Sequence, residues 1–163
     1  MRLAILSDTH MPRGARAIPD RCLALCREAD AIVHAGDLID VGVLDLLRSL
    51  GPPVHAIHGN VDSAAVRRLL PPILEQDFLG VRIGVTHIPG PALGRLERLR
   101  GAFPQAAAVI FGHTHMPAHE ERPGFQIFNP GSPTERRRAP AHTMGLARVG
   151  DGRVTFELVA LGG

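Results

Sequence analysis

Five short apolar segments of this sequence end in the same way, in a cluster of Asp, His or Asn beside Gly or Thr. The segments are residues 3–6, 31–34, 54–57, 81–85 and 106–111, and the clusters that follow them are residues 7–10, 35–37, 58–60, 86–87 and 112–115. Each apolar run has the length and β-branched content of a buried strand. In open α/β sheets, binding sites form beyond the carboxyl ends of the strands. The pattern therefore predicts an α/β fold whose polar clusters meet at one edge.

Helix signals alternate with strand signals in the first half of the chain. Helices are predicted from about Pro19 to Glu28, near residues 41–50, and from about Asp62, a predicted N-cap, to residue 70. Gly51 and the prolines at 52–53 and 71–72 stop the second and third helices. This βαβαβ alternation predicts a parallel sheet with helices packed outside.

The second half of the chain contains more strand than helix signals. Residues 73–79 and 81–86 are predicted to form a hairpin at Gly80, and a short helix is predicted near residues 92–100. Further strands are predicted at residues 106–111, 125–128, 143–149 and 153–160, the last two joined by the turn at residues 150–152. A second sheet, largely antiparallel, is the expected result.

Length and composition are those of an ordinary globular protein. The 163 residues predict one domain over residues 1–163. Although 45% of the residues are hydrophobic, no apolar run approaches the roughly 20 residues of a membrane span. The sequence opens on a predicted strand rather than a signal peptide, which predicts a cytoplasmic location.

The charge and aromatic content do not indicate a nucleic-acid groove. The net charge is only +2, and the 18 basic residues, all Arg, are mostly scattered over predicted helices. Six Phe and no Trp or Tyr leave few rings on which bases could stack. A small anionic substrate remains compatible with this composition, and the sequence gives no indication of the oligomeric state.

The polar clusters together supply a set of ligands for two divalent metal ions. The candidates are Asp8, His10, Asp37, Asn60, His87, His113 and His115. Asp8 and His10 are close enough in sequence to bind one ion, and the two oxygens of Asp37 make this residue the natural bridge between two ions. Two ions about 3.5–4 Å apart lower the pKa of a shared water toward neutrality, so a bridging hydroxide could attack a phosphoester without a Ser or Cys nucleophile.

Other polar residues leave alternatives open. Any single cluster could be a turn or a packed histidine, and only the five together favour the metal interpretation. His34 is expected to support the site or to pack in the core. For His58, contact with the substrate is one of two interpretations that the sequence leaves open. Residues 129–132 are predicted to form a turn, and the arginines at 136–138 either meet a phosphate or form an exposed loop.

The clusters, taken in order with Asn129-Pro130-Gly131-Ser132, resemble the calcineurin-like metallophosphoesterase superfamily, and especially its small single-domain phosphodiesterases from bacteria and archaea. The resemblance implies a four-layer αββα sandwich of two mixed β-sheets flanked by helices. It also implies that Asp8, His10 and His115 hold one ion, that Asn60, His87 and His113 hold the other, and that Asp37 bridges. Manganese, iron, nickel or zinc would fill the sites.

The resemblance implies hydrolysis of phosphodiester bonds in a small phosphoester, for which a nucleotide is one candidate. Asp37, Asn60 and His58 are the candidate catalytic residues. Many larger relatives carry a histidine directly after Gly-Asn, where this chain has Val61, so no obvious group remains to protonate a leaving group. The alternative is a non-catalytic protein-interaction scaffold on the same fold, like the related retromer subunit. A nuclease would need a long basic groove that the composition does not indicate.

Overall fold

The structure is a computed structural model that describes residues 1–162, within which ten strands and four helices alternate. In chain order they are β1 (Arg2–Leu6), α1 (Asp20–Arg27), β2 (Ala31–His34), α2 (Val41–Arg48), β3 (Val54–Ala56), α3 (Ala64–Leu69), β4 (Ile73–Phe78), β5 (Val81–Thr86), α4 (Arg95–Ala102), β6 (Ala108–Ile110), β7 (Ala118–Arg122), β8 (Phe125–Asn129), β9 (His142–Gly150) and β10 (Arg153–Gly162). The strands form two five-stranded sheets, in the orders β10-β9-β1-β2-β3 and β4-β5-β6-β8-β7.

The alternation of side chains along the central strands separates the core into layers. In β1, Leu3 and Ile5 face the second sheet, whereas Ala4 and Leu6 face the helices α1 to α3. In β6, Val109 packs against α4, while Ala108 and Ile110 face the first sheet. The molecule therefore has four layers: α1 to α3, the first sheet, the second sheet and α4. This order confirms the predicted αββα sandwich.

Both sheets are mixed. The parallel arrangement predicted for β1, β2 and β3 is confirmed, since β2 pairs with both of its neighbours in parallel. The expectation of a second, largely antiparallel sheet is wrong, because β6 pairs in parallel with both β5 and β8. Antiparallel pairs occur only at the two edges of that sheet within residues 1–162, at β4–β5 and β7–β8.

The C-terminal hairpin joins the first sheet, not the second sheet as predicted. β9 and β10 join the first sheet, where β9 runs antiparallel to β1 and places Leu146 opposite Ala4. Met144, Leu146 and Val159 thereby share the helix-side core with Ala4. Hydrophobic alternation gives the two faces of a strand but not its partner, so it did not reveal this pairing. The strand β7 was missed because its residues are mostly exposed and polar.

Helix ends differ from the sequence expectation in two places. α3 is capped by Ser63, whose Oγ accepts the N–H of Val66 at 3.3 Å, rather than by Asp62. α4 begins at Arg95, because the preceding Gly94 has left-handed backbone (φ 68°). Among the residues described, no helix combines the length and the apolar content that crossing a membrane requires.

Candidate metal centre

The seven predicted ligands all lie in loops beyond the carboxyl ends of parallel strands. Asp8 and His10 follow β1, Asp37 follows β2, Asn60 follows β3, His87 follows β5, and His113 and His115 follow β6. The two sheets present these ends at a common edge of the sandwich, as the doubly-wound rule requires. The side chains divide into two groups of donor atoms.

Asp8, His10 and His115 form the first group, here called the buried group. Their donor atoms lie within 4.8 Å of one another, and all three side chains are at most 2% exposed. His115 Nε2 is 3.3 Å and His10 Nε2 is 3.8 Å from Asp8 Oδ1. Two imidazoles thus approach one carboxylate oxygen deep in the structure.

Asp37, His87, His113 and Asn60 form the second group, here called the open group. The donor atoms of the first three lie within 4.8 Å of one another, and His87 Nε2 is 3.0 Å from Asp37 Oδ2. Asn60 Oδ1 lies 3.0 Å from His113 Nδ1. Asn60 is exposed and His113 is half-buried, so this group borders solvent.

Asp37 connects the two groups. Its Oδ2 lies 3.0 Å from Nε2 of His87 in the open group and 3.3 Å from Nε2 of His10 in the buried group. Its Oδ1 accepts the backbone N–H of Val61 at 3.0 Å, which fixes the orientation of the carboxylate. One carboxylate oxygen therefore faces both groups at once.

Each group takes side chains from both sheets. In the buried group, Asp8 and His10 come from the first sheet and His115 from the second. In the open group, Asp37 and Asn60 come from the first sheet, and His87 and His113 come from the second. A cation in either group would join the two sheets at this edge.

The backbone of the ligand loops is unusual. Five of the seven ligands have positive φ, with values of 56° at Asp8, 46° at His10, 60° at Asp37, 71° at His113 and 59° at His115. Non-glycine residues rarely adopt this left-handed region, and each instance costs on the order of 1–3 kcal/mol. Such strain is concentrated in proteins at functional sites. Here it is concentrated at the candidate ligands themselves.

This backbone also separates the two histidines that follow β6. On an extended strand, His113 and His115 would point to the same side and could face one point. Instead the chain turns at both residues, and His113 enters the open group while His115 enters the buried group. One short segment thus supplies both groups.

Two glycines allow the loops to approach the carboxylates. A Cβ atom on Gly112 would overlap Ser7 Oγ and lie 2.8 Å from Asp8 Oδ2. A Cβ atom on Gly59 would overlap Asp37 Oδ1. Neither glycine has positive φ, so the requirement at both positions is for space rather than for an unusual backbone.

Contacts from the N-terminal half hold the open group. Asp62 accepts three backbone N–H groups, from Asp37 at 2.9 Å, Ile39 at 2.5 Å and Gly59 at 2.6 Å, and it is 6% exposed. Asp62 thereby ties the loop after β2 to the loop after β3. His87 Nδ1 donates to the carbonyl of Ala35 at 2.7 Å, which leaves Nε2 free to face Asp37.

Contacts from Ser7 and from residues 129–132 hold the buried group. Ser132 Oγ donates to the carbonyl of Asp8 at 2.8 Å, and Ser7 Oγ donates to Asp8 Oδ2 at 2.7 Å. The Asn129 amide donates to the carbonyl of Gly112 at 3.2 Å. Residues 129–132, predicted only as a turn, therefore bind the ligand loops together.

His34 lies between the two ligand loops. It is fully buried; its Nδ1 accepts the N–H of Gly36 at 3.2 Å, and its Nε2 lies 3.2 Å from Thr9 Oγ1. Burial lowers the pKa of His34 to about 4, so the imidazole is neutral at pH 7. The predicted supporting position of His34 agrees with these contacts.

The structure does not bring every candidate into the site. His58 is half-buried, its Nδ1 lies 3.2 Å from the carbonyl of Gly59, and it makes no hydrogen bond or ion pair with a candidate ligand among the described residues. Arg136 Nη1 donates to the carbonyl of Ala139 at 2.8 Å, and the arginines at 136–138 are exposed. The geometry favours the exposed-loop alternative for these arginines and gives His58 no contact with a ligand.

The carboxylates and imidazoles of the site shift the pKa values of one another. Burial lowers the pKa of His10, but the carboxylates of Asp37, Asp8 and Glu135 outweigh burial and raise it to about 9. His87 behaves in the same way, since Asp37 and Asp8 overcome burial and raise its pKa. Burial raises the pKa of Asp37, but the imidazoles of His10 and His87 bring it well below its usual range. Positive charge is therefore favoured between these carboxylates.

The donor atoms fit divalent metal ions. Four atoms at the centre of the site are buried and have no hydrogen-bond partner among residues 1–162: Asp8 Oδ1, His10 Nε2, His87 Nε2 and His115 Nε2. Buried polar atoms without a partner are costly and call for an explanation, of which an ion is one. Imidazole nitrogen together with carboxylate and amide oxygen is a donor set that first-row divalent metals bind.

Sequence reasoning missed several residues that hold this arrangement. Asp62 was interpreted as a helix cap, although its position directly after Gly59-Asn60-Val61 places it within the ligand cluster. Glu135 lies far from the other clusters in sequence, and no pattern in the sequence links it to β1. Ser132 was singled out within residues 129–132, but its contact with Asp8 was not predicted. Only the fold reveals their contacts.

Comparison with known proteins gives consistent matches over most of the chain. A family model described as the calcineurin-like phosphoesterase superfamily domain matches residues 1–152. A probable metallophosphoesterase from Methanothermobacter thermautotrophicus is 32% identical over 169 residues, which cover 99% of this chain and 94% of the relative. Phosphodiesterase YfcE from Escherichia coli K12 is 30% identical over 156 residues, which cover 81% of this chain and 79% of the relative.

The fold is also found among solved structures. Wild-type Vps29 from Entamoeba histolytica, crystallised in complex with zinc, aligns with a TM-score of 0.77 over 99% of both chains at 24% identity. This likeness concerns the arrangement of the two sheets and their helices.

Proposed function

The chain belongs to the calcineurin-like phosphoesterase superfamily, and from that membership we propose that it is a dinuclear metal-dependent phosphodiesterase. The predicted resemblance to this family is confirmed. The observation that carries the proposal is the position of Asp37 Oδ2, 3.0 Å from His87 Nε2 and 3.3 Å from His10 Nε2. A carboxylate between two groups of unpartnered donors is what a pair of cations requires.

Under this proposal, Asp8, His10 and His115 hold one ion, and Asn60, His87 and His113 hold the other. Asp37 contributes to both. When bound, two divalent ions lower the pKa of a water between them and oppose the negative charge that develops on the phosphoryl group. The donors suit manganese, iron, nickel or zinc, and the zinc complex of the structurally similar Vps29 agrees with that range.

The chain's own residues orient these parts. Ser7 and Ser132 fix the side chain and carbonyl of Asp8, and Asp62 fixes the loops that carry Asp37 and Asn60. The half-buried His113 and the exposed Asn60 form the side that a substrate reaches from solvent. Because the pKa of Asp37 lies well below its usual range, the carboxylate is ionised at neutral pH, so it accepts hydrogen bonds and cannot donate a proton.

The same site sets the class of substrate. Val61 stands where larger relatives carry a histidine, and its side chain cannot protonate a leaving group. Phosphodiesters with good leaving groups are therefore the preferred substrates. The proposed substrate is a small phosphoester that approaches the site from the side of Asn60 and His113, with no role for a nucleic-acid groove.

A chromogenic phosphodiester provides the test. Hydrolysis of bis(p-nitrophenyl) phosphate by the metal-free protein should appear on addition of manganese. The Asp37→Asn variant should lose on the order of a thousandfold in rate, because several kcal/mol of transition-state stabilisation depend on this bridge. Asp151→Asn, in the exposed turn between β9 and β10, is the matched control and should keep the full rate.

A non-catalytic scaffold on the same fold is the second candidate, since Vps29 is structurally similar. It would bind metal without hydrolysing any phosphoester in the presence of manganese, nickel or zinc. A panel of phosphomonoesters and phosphodiesters, assayed on the preparation whose metal content is measured, separates the two. Complete inertness of the loaded protein would favour the scaffold.

A further inference from the structure

Glu135 is an acidic residue that the proposed chemistry does not use, although it borders the buried group. Its Oε2 lies 3.0 Å from His10 Nδ1, and its Oε1 lies 2.8 Å from Arg16 Nη2. His10 Nδ1 and Glu135 Oε2 are both buried, and apart from their close approach neither has a hydrogen-bond partner in the part of the chain that the structure describes. The carboxylate is thus held by Arg16 on one side and faces the imidazole on the other.

The main chain of the same residue contacts the second histidine of the group. The Glu135 carbonyl accepts the Nδ1 proton of His115 at 2.5 Å. The Glu135 N–H donates to Ser132 Oγ at 2.8 Å, and Ser132 in turn donates to the carbonyl of Asp8. One residue therefore lies behind both imidazoles and is fixed to the loop that carries the carboxylate ligand.

We propose that Glu135 is a positioning residue for the buried group, which holds the Nδ1 protons of His10 and His115 and so directs both Nε2 lone pairs at one ion. A carboxylate or carbonyl behind a metal-binding histidine fixes its tautomer and increases its basicity. The proposal rests on the proposed function only in that this group binds a divalent ion.

The open group provides the internal contrast. There, His87 Nδ1 donates to the neutral carbonyl of Ala35. Asn60 Oδ1 faces His113 directly. No carboxylate lies behind His87 or His113 at ion-pair distance among the described residues, other than those of Asp8 and Asp37 in the site itself. Removing the charge of Glu135 should therefore weaken one of two binding events and spare the other.

Metal titration of the metal-free full-length protein tests this directly. Calorimetry with manganese should resolve two binding events in the unmodified chain. Glu135→Gln, which keeps the size of the side chain, should weaken one event by about 10- to 100-fold and leave the other within about twofold. Glu120→Gln removes the same charge from the exposed strand β7 and should change neither event. If Glu135→Gln does not fold, Arg16→Gln should weaken the same event by a smaller factor.

A spectroscopic readout separates positioning from general support. In the zinc-loaded protein, ¹H–¹⁵N spectra of the imidazoles should show the His10 proton on Nδ1. Glu135→Gln should shift the His10 resonances while those of His87 stay in place. Unchanged affinities, or equal weakening of both events, would overturn the role of Glu135 alone. An unmodified chain that binds no divalent ion would overturn the proposed function as well.

Discussion

The buried and open groups contain similar donor atoms but differ in what surrounds them. The buried group is enclosed, and residues after β8 hold it from behind: Ser132 at the carbonyl of Asp8 and Glu135 at both imidazoles. The open group borders solvent through Asn60 and His113, and Asp62 in the N-terminal half holds its loops. Two sets of ligands thus share one edge of the sandwich but depend on different parts of the chain.

Under the proposed function, this difference would divide the roles within one centre. An ion held by the enclosed group would exchange slowly, whereas the group beside solvent would leave room for a substrate oxygen. Asp37 lies between them and makes the two roles interdependent. Substitutions on the two sides should therefore produce different changes in stability and in metal binding.

The largest effect is expected at Asp62. Asp62→Ala removes the acceptor of three backbone N–H groups and should lower the free energy of unfolding by about 4 kcal/mol, since buried donors are left without a partner. Urea denaturation of the metal-free protein measures it. Asp45→Ala, on the exposed face of α2, is the control and should stay within about 0.5 kcal/mol. A loss below 1 kcal/mol would show that the loops do not depend on Asp62.

The next comparison uses two histidines that differ mainly in burial. His115→Ala should lower the free energy of unfolding of the metal-free protein by about 3 kcal/mol, because it leaves a cavity beside Asp8. His113→Ala, at the half-exposed position, should cost less than about 1 kcal/mol. Under the proposed dinuclear site, elemental analysis of each variant should find one ion fewer than in the unmodified chain. Equal losses of stability would contradict the division into a buried and an open group.

Glycine substitutions test the close approach of loops to carboxylates. Gly112→Ala crowds Asp8 and Ser7, and Gly59→Ala crowds Asp37, so each should destabilise the protein by about 2–3 kcal/mol. Gly101→Ala, in α4 with no atom near its added Cβ, should stabilise the protein by about 0.5–1 kcal/mol. Thermal melts measure the loss of stability, and melts with added manganese report metal binding as a rise in Tm. Gly112→Ala should weaken metal binding mainly at the buried group, and Gly59→Ala mainly at the open group.

His34 contacts the loops after β1 and β2, which carry ligands of both groups, and it provides a test by pH. Its pKa is about 4 in the folded protein, below the unfolded value, so acid protonates the unfolded chain first. The stability gained from a neutral His34 is complete above about pH 6.5 and is lost as the pH falls toward 4. At pH 5 this loss should reach about 2 kcal/mol relative to pH 7, and His34→Gln should lack it. Urea midpoints of both proteins at the two pH values give the comparison, and parallel pH profiles would refute the assignment.

The sequence was informative where the chemistry lies in short segments. Residues 7–10, 35–37, 58–60 and 112–115 carry their donors next to strand ends, and the fold brings those ends together. The four-layer sandwich followed from resemblance rather than from periodicity, since alternation alone assigned β9 and β10 to the wrong sheet. Pairing between β1 and β9 joins residues far apart in the chain, and local pattern carries no information about it.

The supporting contacts were less predictable for a physical reason. Asp62, Glu135 and Ser132 act through backbone N–H and carbonyl groups, which every residue possesses. Asp62 and Ser132 are residue types common in turns and caps, so the sequence-based interpretation of Asp62 as an N-cap was reasonable and wrong. The left-handed backbone at five of the ligands was equally hidden, because it is imposed by the surrounding contacts rather than by residue type.

The origin of each group's donors in both sheets has a consequence for ion selectivity. The distances between donor atoms from different sheets depend on the spacing of the two sheets. Buried side chains between the sheets, such as Ile5, Ile110 and Phe128, set that spacing. Interiors are packed too tightly to adjust freely when an ion of different radius enters. A conservative exchange deep in the sandwich, with no ligand altered, should therefore change which first-row metal the protein prefers.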